Sequence, residues 1–267
     1  MESWKAALLG LVQGLTEFFP ISSDGHLVAL GRWLSLPERS SGAAFVSFLH
    51  VGTLLACVVA FRGKIAGMVR VVAQPRRLLR PPPGDVAAEE ARFVLLGSLA
   101  TALSALPFLD LFEALYRSEP VLVASFLVTA ALLLVAPWAM RLPSRPPDVT
   151  QALLVGAAQT LAILPGLSRS CITVVVGLLV GIPVARVTAL SFLLSMPAVV
   201  GAVGMELVRH PPRRDELAAI ALGGGVAFVV GLLAVRSMLV LVPRGRLPWF
   251  APYVLALAAV VLLTGGK

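Results

Sequence analysis

The sequence predicts an all-α polytopic membrane protein, and three observations carry that prediction. Hydrophobic residues make up 58% of the 267 residues and charged residues only 13%, about half the charged fraction of a typical soluble domain. Apolar runs long enough to cross a hydrocarbon core of about 30 Å recur along most of the chain. The runs are continuous rather than short and alternating, which favours helices over a membrane barrel.

Six segments are predicted as transmembrane helices, because each approaches or reaches the roughly 17 to 25 residues that a spanning helix needs. They are residues 43–61, 93–109, 121–140, 187–206, 217–235 and 249–264. Two further apolar regions, 4–36 and 150–182, are interrupted by polar clusters with proline and glycine, and they predict re-entrant hairpins. We expect one integral membrane domain over residues 1–267.

The two halves of the chain resemble each other. The sequence GLVQ at 10–13 recurs as GAAQ at 156–159, and SFL at 47–49 recurs at 191–193. We therefore expect two repeats, at about 1–140 and 150–267, each a broken hairpin followed by three spans. Because three is an odd number of spans, the second repeat should be inverted, and matched broken helices point to a site near the membrane midplane.

The formal charge of +8 would suit nucleic acid, but the basic residues lie between apolar spans, as the positive-inside rule predicts. We expect no nucleic-acid partner. The loop predicted at 62–92 should face the cytoplasm and both termini should face outward, although the outer face keeps Arg39, Arg117, Arg209, Arg213 and Arg214. Glu17 interrupts the one candidate leader, so we expect no cleavage there. Cys57 and Cys171 lie in apolar stretches and should be packing residues.

The first hairpin break, QGLTEFFPISSDGH at 13–26, concentrates polar side chains. Gln13 and Glu17 are spaced i, i+4 and so share one helix face. Two hydroxyls, a carboxylate and an imidazole follow Pro20. An ionisable group at membrane depth costs at least about 2.5 kcal/mol, so Glu17 and Asp24 need a partner or a function.

The second break, LPGLSRSCIT at 164–173, places Arg169 among hydroxyls at the start of a helical run. Arginine and free helix-start amides together bind anions, and phosphate is the obvious candidate. The two breaks thus supply oxygens for a hard cation, an arginine for phosphate, and serine with histidine for attack and proton transfer. This set of groups is typical of phosphoryl transfer.

Each group also has a purely structural interpretation. In that interpretation Ser22 and Ser23, after Pro20, only cap a helix. Arg169 forms a buried ion pair with Glu17, and His26 is a packed histidine. The joint appearance of these residues at two matched breaks favours function.

At these residues the sequence resembles the undecaprenyl-pyrophosphate phosphatase family, which is known also for bacitracin resistance. The family's Glu-or-Gln, three residues, Glu motif is matched at Gln13 and Glu17, and its Pro-x-Ser-Ser-x-Gly-His motif at 20–26. Its Pro-Gly-x-Ser-Arg-Ser-x-x-Thr motif is matched at 165–173. The chain departs at Asp24, where the family commonly has threonine, and at Cys171, where it has glycine.

The resemblance implies hydrolysis of undecaprenyl pyrophosphate to the monophosphate carrier and phosphate, in the bacterial plasma membrane and with the site facing outward. This reaction recycles the carrier for peptidoglycan synthesis and confers bacitracin resistance. The implied catalytic residues are Glu17, Ser23, His26 and Arg169, with Ser23 as nucleophile and His26 as its base. Gln13 and Glu17 are the implied ligands of Mg²⁺ or Ca²⁺, and the implied substrate ligands are Ser22, Ser168, Ser170 and Thr173.

Several alternatives stay open at this point. In one alternative His26 is itself the nucleophile, and in another Ser22 takes the place of Ser23. A lipid transporter or flippase would share the inverted repeats and broken helices, but it would need no nucleophile with a base. A non-catalytic scaffold would leave both polar clusters unexplained. The expected partners are a polyprenyl pyrophosphate and membrane lipid, and a homodimer is left open.

Overall fold

The computed structural model describes residues 2–34, 43–116 and 118–264. Within these ranges every regular element is a helix, which confirms the predicted fold class. The α-helices are α1 (Ser3–Thr16), α2 (Ser23–Trp33), α3 (Ala43–Val72), α4 (Pro75–Leu79), α5 (Val86–Ala105), α6 (Leu109–Tyr116), α7 (Glu119–Ala139), α8 (Val149–Thr160), α9 (Arg169–Leu179), α10 (Val184–Arg209), α11 (Leu217–Leu241) and α12 (Ala251–Thr264).

Five stretches of the described chain are long and apolar enough to cross a membrane, and each overlaps a predicted span. They are Val86–Phe112, Glu119–Ala139, Val184–Arg209, Leu217–Leu241 and Leu247–Thr264. The protein is therefore a multi-pass membrane protein. The sixth predicted span, 43–61, is the first part of α3, whose backbone leaves the helical region at Phe61 with φ −110° and ψ 17°.

The loop predicted at 62–92 is much shorter in the structure. Helix α3 continues to Val72 and α5 begins at Val86, so only residues 73–85 connect them. Lys64 joins the two helices through a 2.5 Å contact with the buried Glu90 carboxylate. Asp85 caps α5, and the adjacent Arg77 guanidinium lowers the pKa of its carboxyl. The predictions that involve Arg39, Arg117 and residues 35–36 lie outside the described residues.

Both predicted hairpin breaks are present. Helices α1 and α2 are separated by residues 17–22, and α8 and α9 by residues 161–168. With a rise of about 1.5 Å per residue, the longest of these four helices, 14 residues, reaches only about 21 Å. Each arm is therefore too short to cross a hydrocarbon core of about 30 Å. Most of the first break and residues 165–168 of the second are buried, so the breaks lie inside the protein.

Glycine pairs bring the first arm of each hairpin close to a spanning helix. A Cβ added at Gly10 of α1 would lie 2.2 Å from the Gly223 carbonyl oxygen of α11. A Cβ added at Gly156 of α8 would lie 2.1 Å from the Gly97 carbonyl oxygen of α5. Small residues permit this backbone-to-backbone packing between membrane helices. The two hairpins are thus anchored by equivalent contacts.

Candidate active site

The breaks of the two hairpins meet inside the protein. The guanidinium of Arg169, the first residue of α9, forms an ion pair with Glu17, which follows α1. Ser170 Oγ donates to the Phe19 carbonyl over 3.1 Å, and the Gly166 N–H donates to Ser22 Oγ over 3.1 Å. The two polar clusters of the sequence therefore form one site.

Glu17 is the centre of the hydrogen-bond network. Its Oε2 accepts from Ser23 Oγ at 2.7 Å and from Gln13 Nε2 at 3.1 Å, while Oε1 faces Arg169. Only 5% of the Glu17 side chain is exposed. A carboxylate at this depth stays charged only with such partners. The ion pair foreseen as the structural interpretation of Arg169 is present, and it involves the same carboxylate that accepts from Ser23.

Ser23 begins α2 immediately after a strained residue. Ser22 has a φ of 68°, in the left-handed region that disfavours residues with a Cβ. Its Oγ accepts from the Gly25 N–H over 3.4 Å, as a helix cap, and also from Gly166. Ser22 therefore acts as the predicted cap, and only its O–H is left to reach a substrate. The Ser23 hydroxyl points to Glu17 instead.

His26 does not contact Ser23 through a hydrogen bond. Its Nδ1 lies 2.7 Å from the Ser22 carbonyl, and its Nε2 lies 2.8 Å from the Tyr253 hydroxyl. Because a carbonyl only accepts, Nδ1 donates to it, and in the neutral ring Nε2 then accepts from the Tyr253 hydroxyl. The ring also stacks on Tyr253, with centroids 5.6 Å apart. The predicted base therefore has other partners in this structure, and Glu17 occupies its expected position.

The hydroxyls of the second break differ in what they reach. Ser168 caps α9 by accepting from the Cys171 N–H over 3.3 Å. Ser170 lies within 3.2 Å of Ser168 Oγ and bonds Phe19. Thr173 donates to the Arg169 carbonyl at 2.7 Å and pairs with Ser191 at 2.6 Å. Thr173 thus fixes α9, whereas Ser168 and Arg169 remain in contact with open space.

That open space is a cavity of about 630 Å³, within the range of ligand pockets. One part of its wall is polar and includes Glu17, Ser22, Ser23, Asp24, His50, Ser168 and Arg169. Another part is apolar and comes from α5, α6 and α10, with Ala105, Leu109, Val199 and Met205 among its residues. Neither Thr173 nor Gln13 is among the residues of this wall.

Three residues near the site carry no role in the sequence-based prediction. His50 of α3 places Nε2 3.3 Å from Glu17 Oε2 and 3.7 Å from Asp24 Oδ1. The sequence signal that could have identified His50 is an imidazole within an apolar span. Tyr253 and the buried Thr129 of α7 lack such a signal, because one tyrosine or threonine in a membrane helix is unremarkable by itself.

Comparison with known proteins decides the family. A family model for bacitracin resistance protein BacA matches residues 6–260, almost the whole chain. The chain belongs to the BacA family. Three relatives, each named undecaprenyl-diphosphatase, support this assignment. The one from Korarchaeum cryptofilum is 37% identical over 98% of this chain and 99% of its own. Those from Carboxydothermus hydrogenoformans and Geobacter metallireducens are 35% and 36% identical over 100% and 98% of both chains.

Both departures of this chain from the BacA family motifs can now be placed. Asp24 is a third exposed at its side chain, lines the cavity and lies beside His50. Cys171 is buried between α9 and α7, where its thiol lies 3.7 Å from the Thr129 carbonyl. Cys57 and Cys171 are both free and buried, which confirms their prediction as packing residues.

Glu17 and Gln13 offer the carboxylate and amide oxygens that a hard divalent cation prefers. Gln13 Oε1 is buried and finds no hydrogen-bond partner among the described residues, so its lone pairs are left for a ligand or a water. No group of three or more histidine, cysteine or carboxylate side chains among the described residues is arranged to hold a metal ion, although His50 lies beside Glu17 and Asp24. Mg²⁺ is typically bound by one or two carboxylates together with substrate phosphates, so such a cluster is not required.

Proposed function

We propose that the protein hydrolyses undecaprenyl pyrophosphate to undecaprenyl phosphate and inorganic phosphate. The observation that carries the proposal is the contact of Ser23 Oγ with Glu17 Oε2, in a site where Glu17 also pairs with Arg169. A hydroxyl, an acceptor for its proton and an arginine for phosphate are thereby collected at one wall of a cavity. The name shared by the relatives supports this substrate. The comparisons give no support to the transporter alternative.

The two parts of the cavity wall match the two parts of the substrate. A pyrophosphate carries charge and needs donors such as Arg169, Ser168 and the backbone amides at the start of α2 and α9. A polyprenyl chain is apolar and suits the wall formed by α5, α6 and α10. The cavity would thus admit a lipid from the membrane with its head group towards the hairpin breaks.

Ser23 is the proposed nucleophile and Glu17 the acceptor of its proton. Ser23 Oγ would attack the terminal phosphorus, forming a new O–P bond as the bond to the bridging oxygen breaks and undecaprenyl phosphate leaves. Water would then hydrolyse the phosphoserine and release phosphate. For His26 to take the proton instead, its ring would have to leave Tyr253 and Ser22. Glu17 needs no such movement, because the hydrogen bond already exists.

Arg169 would exchange partners when the substrate binds. Its guanidinium now neutralises Glu17, and a pyrophosphate offers it more acceptor oxygens in a bidentate geometry. That exchange would leave Glu17 Oε1 available, together with Gln13 Oε1, to hold Mg²⁺ or Ca²⁺. When bound, the cation would neutralise charge on the transferring phosphoryl group.

The finer localisation is also a proposal. We infer a bacterial plasma membrane, outward termini and a site open to the outer side, because the basic connector at 73–85 favours the cytoplasm. The equivalent glycine contacts of α1 with α11 and α8 with α5 support two inverted repeats at about 1–140 and 150–267.

Phosphate release tests the proposed function directly. Protein purified in detergent should release phosphate from undecaprenyl pyrophosphate in a malachite-green assay, and a chelator should stop the release. A transporter or a scaffold would release none. Phosphate release that continues unchanged in the presence of a chelator would support the hydrolase activity but contradict the proposed role of the cation.

A further inference from the structure

Resting on the proposed function, we infer that Thr129 of α7 is a positioning residue that sets the place of Arg169 relative to Ser23. Its hydroxyl is fully buried, and it both donates and accepts a hydrogen bond. It donates to the Gly166 carbonyl over 2.9 Å and accepts from the Ser168 N–H over 3.1 Å. One hydroxyl therefore ties the turn of the second break to a spanning helix, immediately before Arg169.

The same turn is held from its other side by the first break. The Gly166 N–H donates to Ser22 Oγ over 3.1 Å, and Ser22 is the residue before the nucleophile. The peptide groups on both sides of Gly166 are thus fixed, one by Ser22 and the other by Thr129. Of these two partners of Gly166, Ser22 belongs to the first hairpin and Thr129 lies outside both hairpins.

The turn has little freedom to settle elsewhere. Gly166 has a φ of 90°, and a Cβ there would lie 2.6 Å from the Leu122 carbonyl oxygen of α7. A Cβ at Gly25 would lie 2.5 Å from the Phe126 ring of α7. Leu122, Phe126 and Thr129 lie along one face of α7, so this face supports both breaks.

The consequence for catalysis follows from the order of the residues. Ser168 caps α9 and Arg169 is its first residue, so a shift of the Gly166 turn moves the guanidinium with it. A misplacement of about 1 Å can lower a rate about 10²-fold. Thr129 would therefore affect turnover without touching the substrate.

Thr129→Val tests the inference, because valine keeps the shape and removes the hydroxyl. We expect kcat for phosphate release to fall about 10²-fold and KM to rise, both per mole of monodisperse protein. Thr129→Ser keeps the hydroxyl and should restore most of the activity. Thr188→Val is the matched control, since the buried Thr188 hydroxyl has no partner among the described residues. It should leave both constants unchanged.

A merely structural role would reduce the yield of folded protein and leave kcat and KM per folded molecule intact. If Thr129→Val does not fold, Thr129→Cys offers a similar volume with a weak donor, and kcat should fall by a smaller factor. Wild-type values of kcat and KM in folded Thr129→Val would overturn the inference. If Thr129→Val does not fold, wild-type values in Thr129→Cys would overturn it.

A double variant separates this inference from the proposed function. If Thr129 acts through Arg169, the loss caused by Thr129→Val should shrink when Arg169→Lys is already present. Full additivity would overturn the coupling. Normal activity in Arg169→Lys alone would instead contradict the proposed phosphate-binding role of Arg169, whatever Thr129→Val does.

Discussion

Glu17→Gln is the substitution that bears on most of the proposed site. Glutamine keeps the shape of the side chain and removes its charge. The change takes from Ser23 its 2.7 Å proton acceptor and from Arg169 its counter-charge. General-base catalysis contributes about 10²- to 10⁴-fold, or about 3 to 5 kcal/mol of barrier. Removing one partner of a buried ion pair also destabilises the fold by about 3 to 5 kcal/mol.

The expected result is a loss of phosphate release of at least about 10²-fold, measured with malachite green on protein that still elutes as a single species. Glu90→Gln is the matched control, because Glu90 is also a buried glutamate in an ion pair, with Lys64 at 2.5 Å. It should lower the unfolding temperature but leave kcat near normal. His26→Gln should reduce kcat less than Glu17→Gln does. Release within tenfold of the wild type in Glu17→Gln would refute the assignment of Glu17.

Two further predictions concern the phosphate ligand and the topology. Arg169→Lys should lower phosphate release about 10²-fold, because lysine lacks the planar fork of donors. Arg145→Lys on the exposed surface should change phosphate release little. Comparable losses in both variants would argue against a phosphate site at Arg169. Pro83→Cys, in a background without native cysteines, should resist an impermeant thiol reagent in intact cells; rapid labelling would reverse the orientation. Position 83 is exposed and avoids the left-handed backbone of Gly84, whose φ is 77°.

The sequence predicted the spanning helices well, because uninterrupted apolar runs report directly on burial in lipid. It failed beyond Phe61, where Arg62, Lys64 and Arg70 suggested a loop. Helix α3 continues there to Val72, because arginine and lysine interrupt a hydrophobic run but are good helix formers. Its stabilising contact, Lys64 with Glu90, joins residues 26 positions apart and leaves no periodic signal.

The site was predictable where residues within one break act together, as Gln13, Glu17 and Ser23 do. The meeting of Glu17 with Arg169 followed only from matched breaks in two similar halves. Partners contributed by distant helices were not predictable. Tyr253 meets His26 from 227 residues away, and Thr129 lies in a span whose apolar pattern gives no reason to single it out.

The nature of the covalent intermediate decides whether Ser23 is the nucleophile. Wild-type protein should be mixed with undecaprenyl pyrophosphate labelled in its terminal phosphate, then quenched within one turnover in acid or in alkali. We expect acid-stable label on Ser23, located by mass spectrometry and absent from Ser23→Ala, because a serine phosphate survives acid. Label that survives only alkali would place the phosphoryl group on His26 and contradict the assignment of Ser23. Turnover without label under either quench would contradict it as well, in favour of direct attack by water.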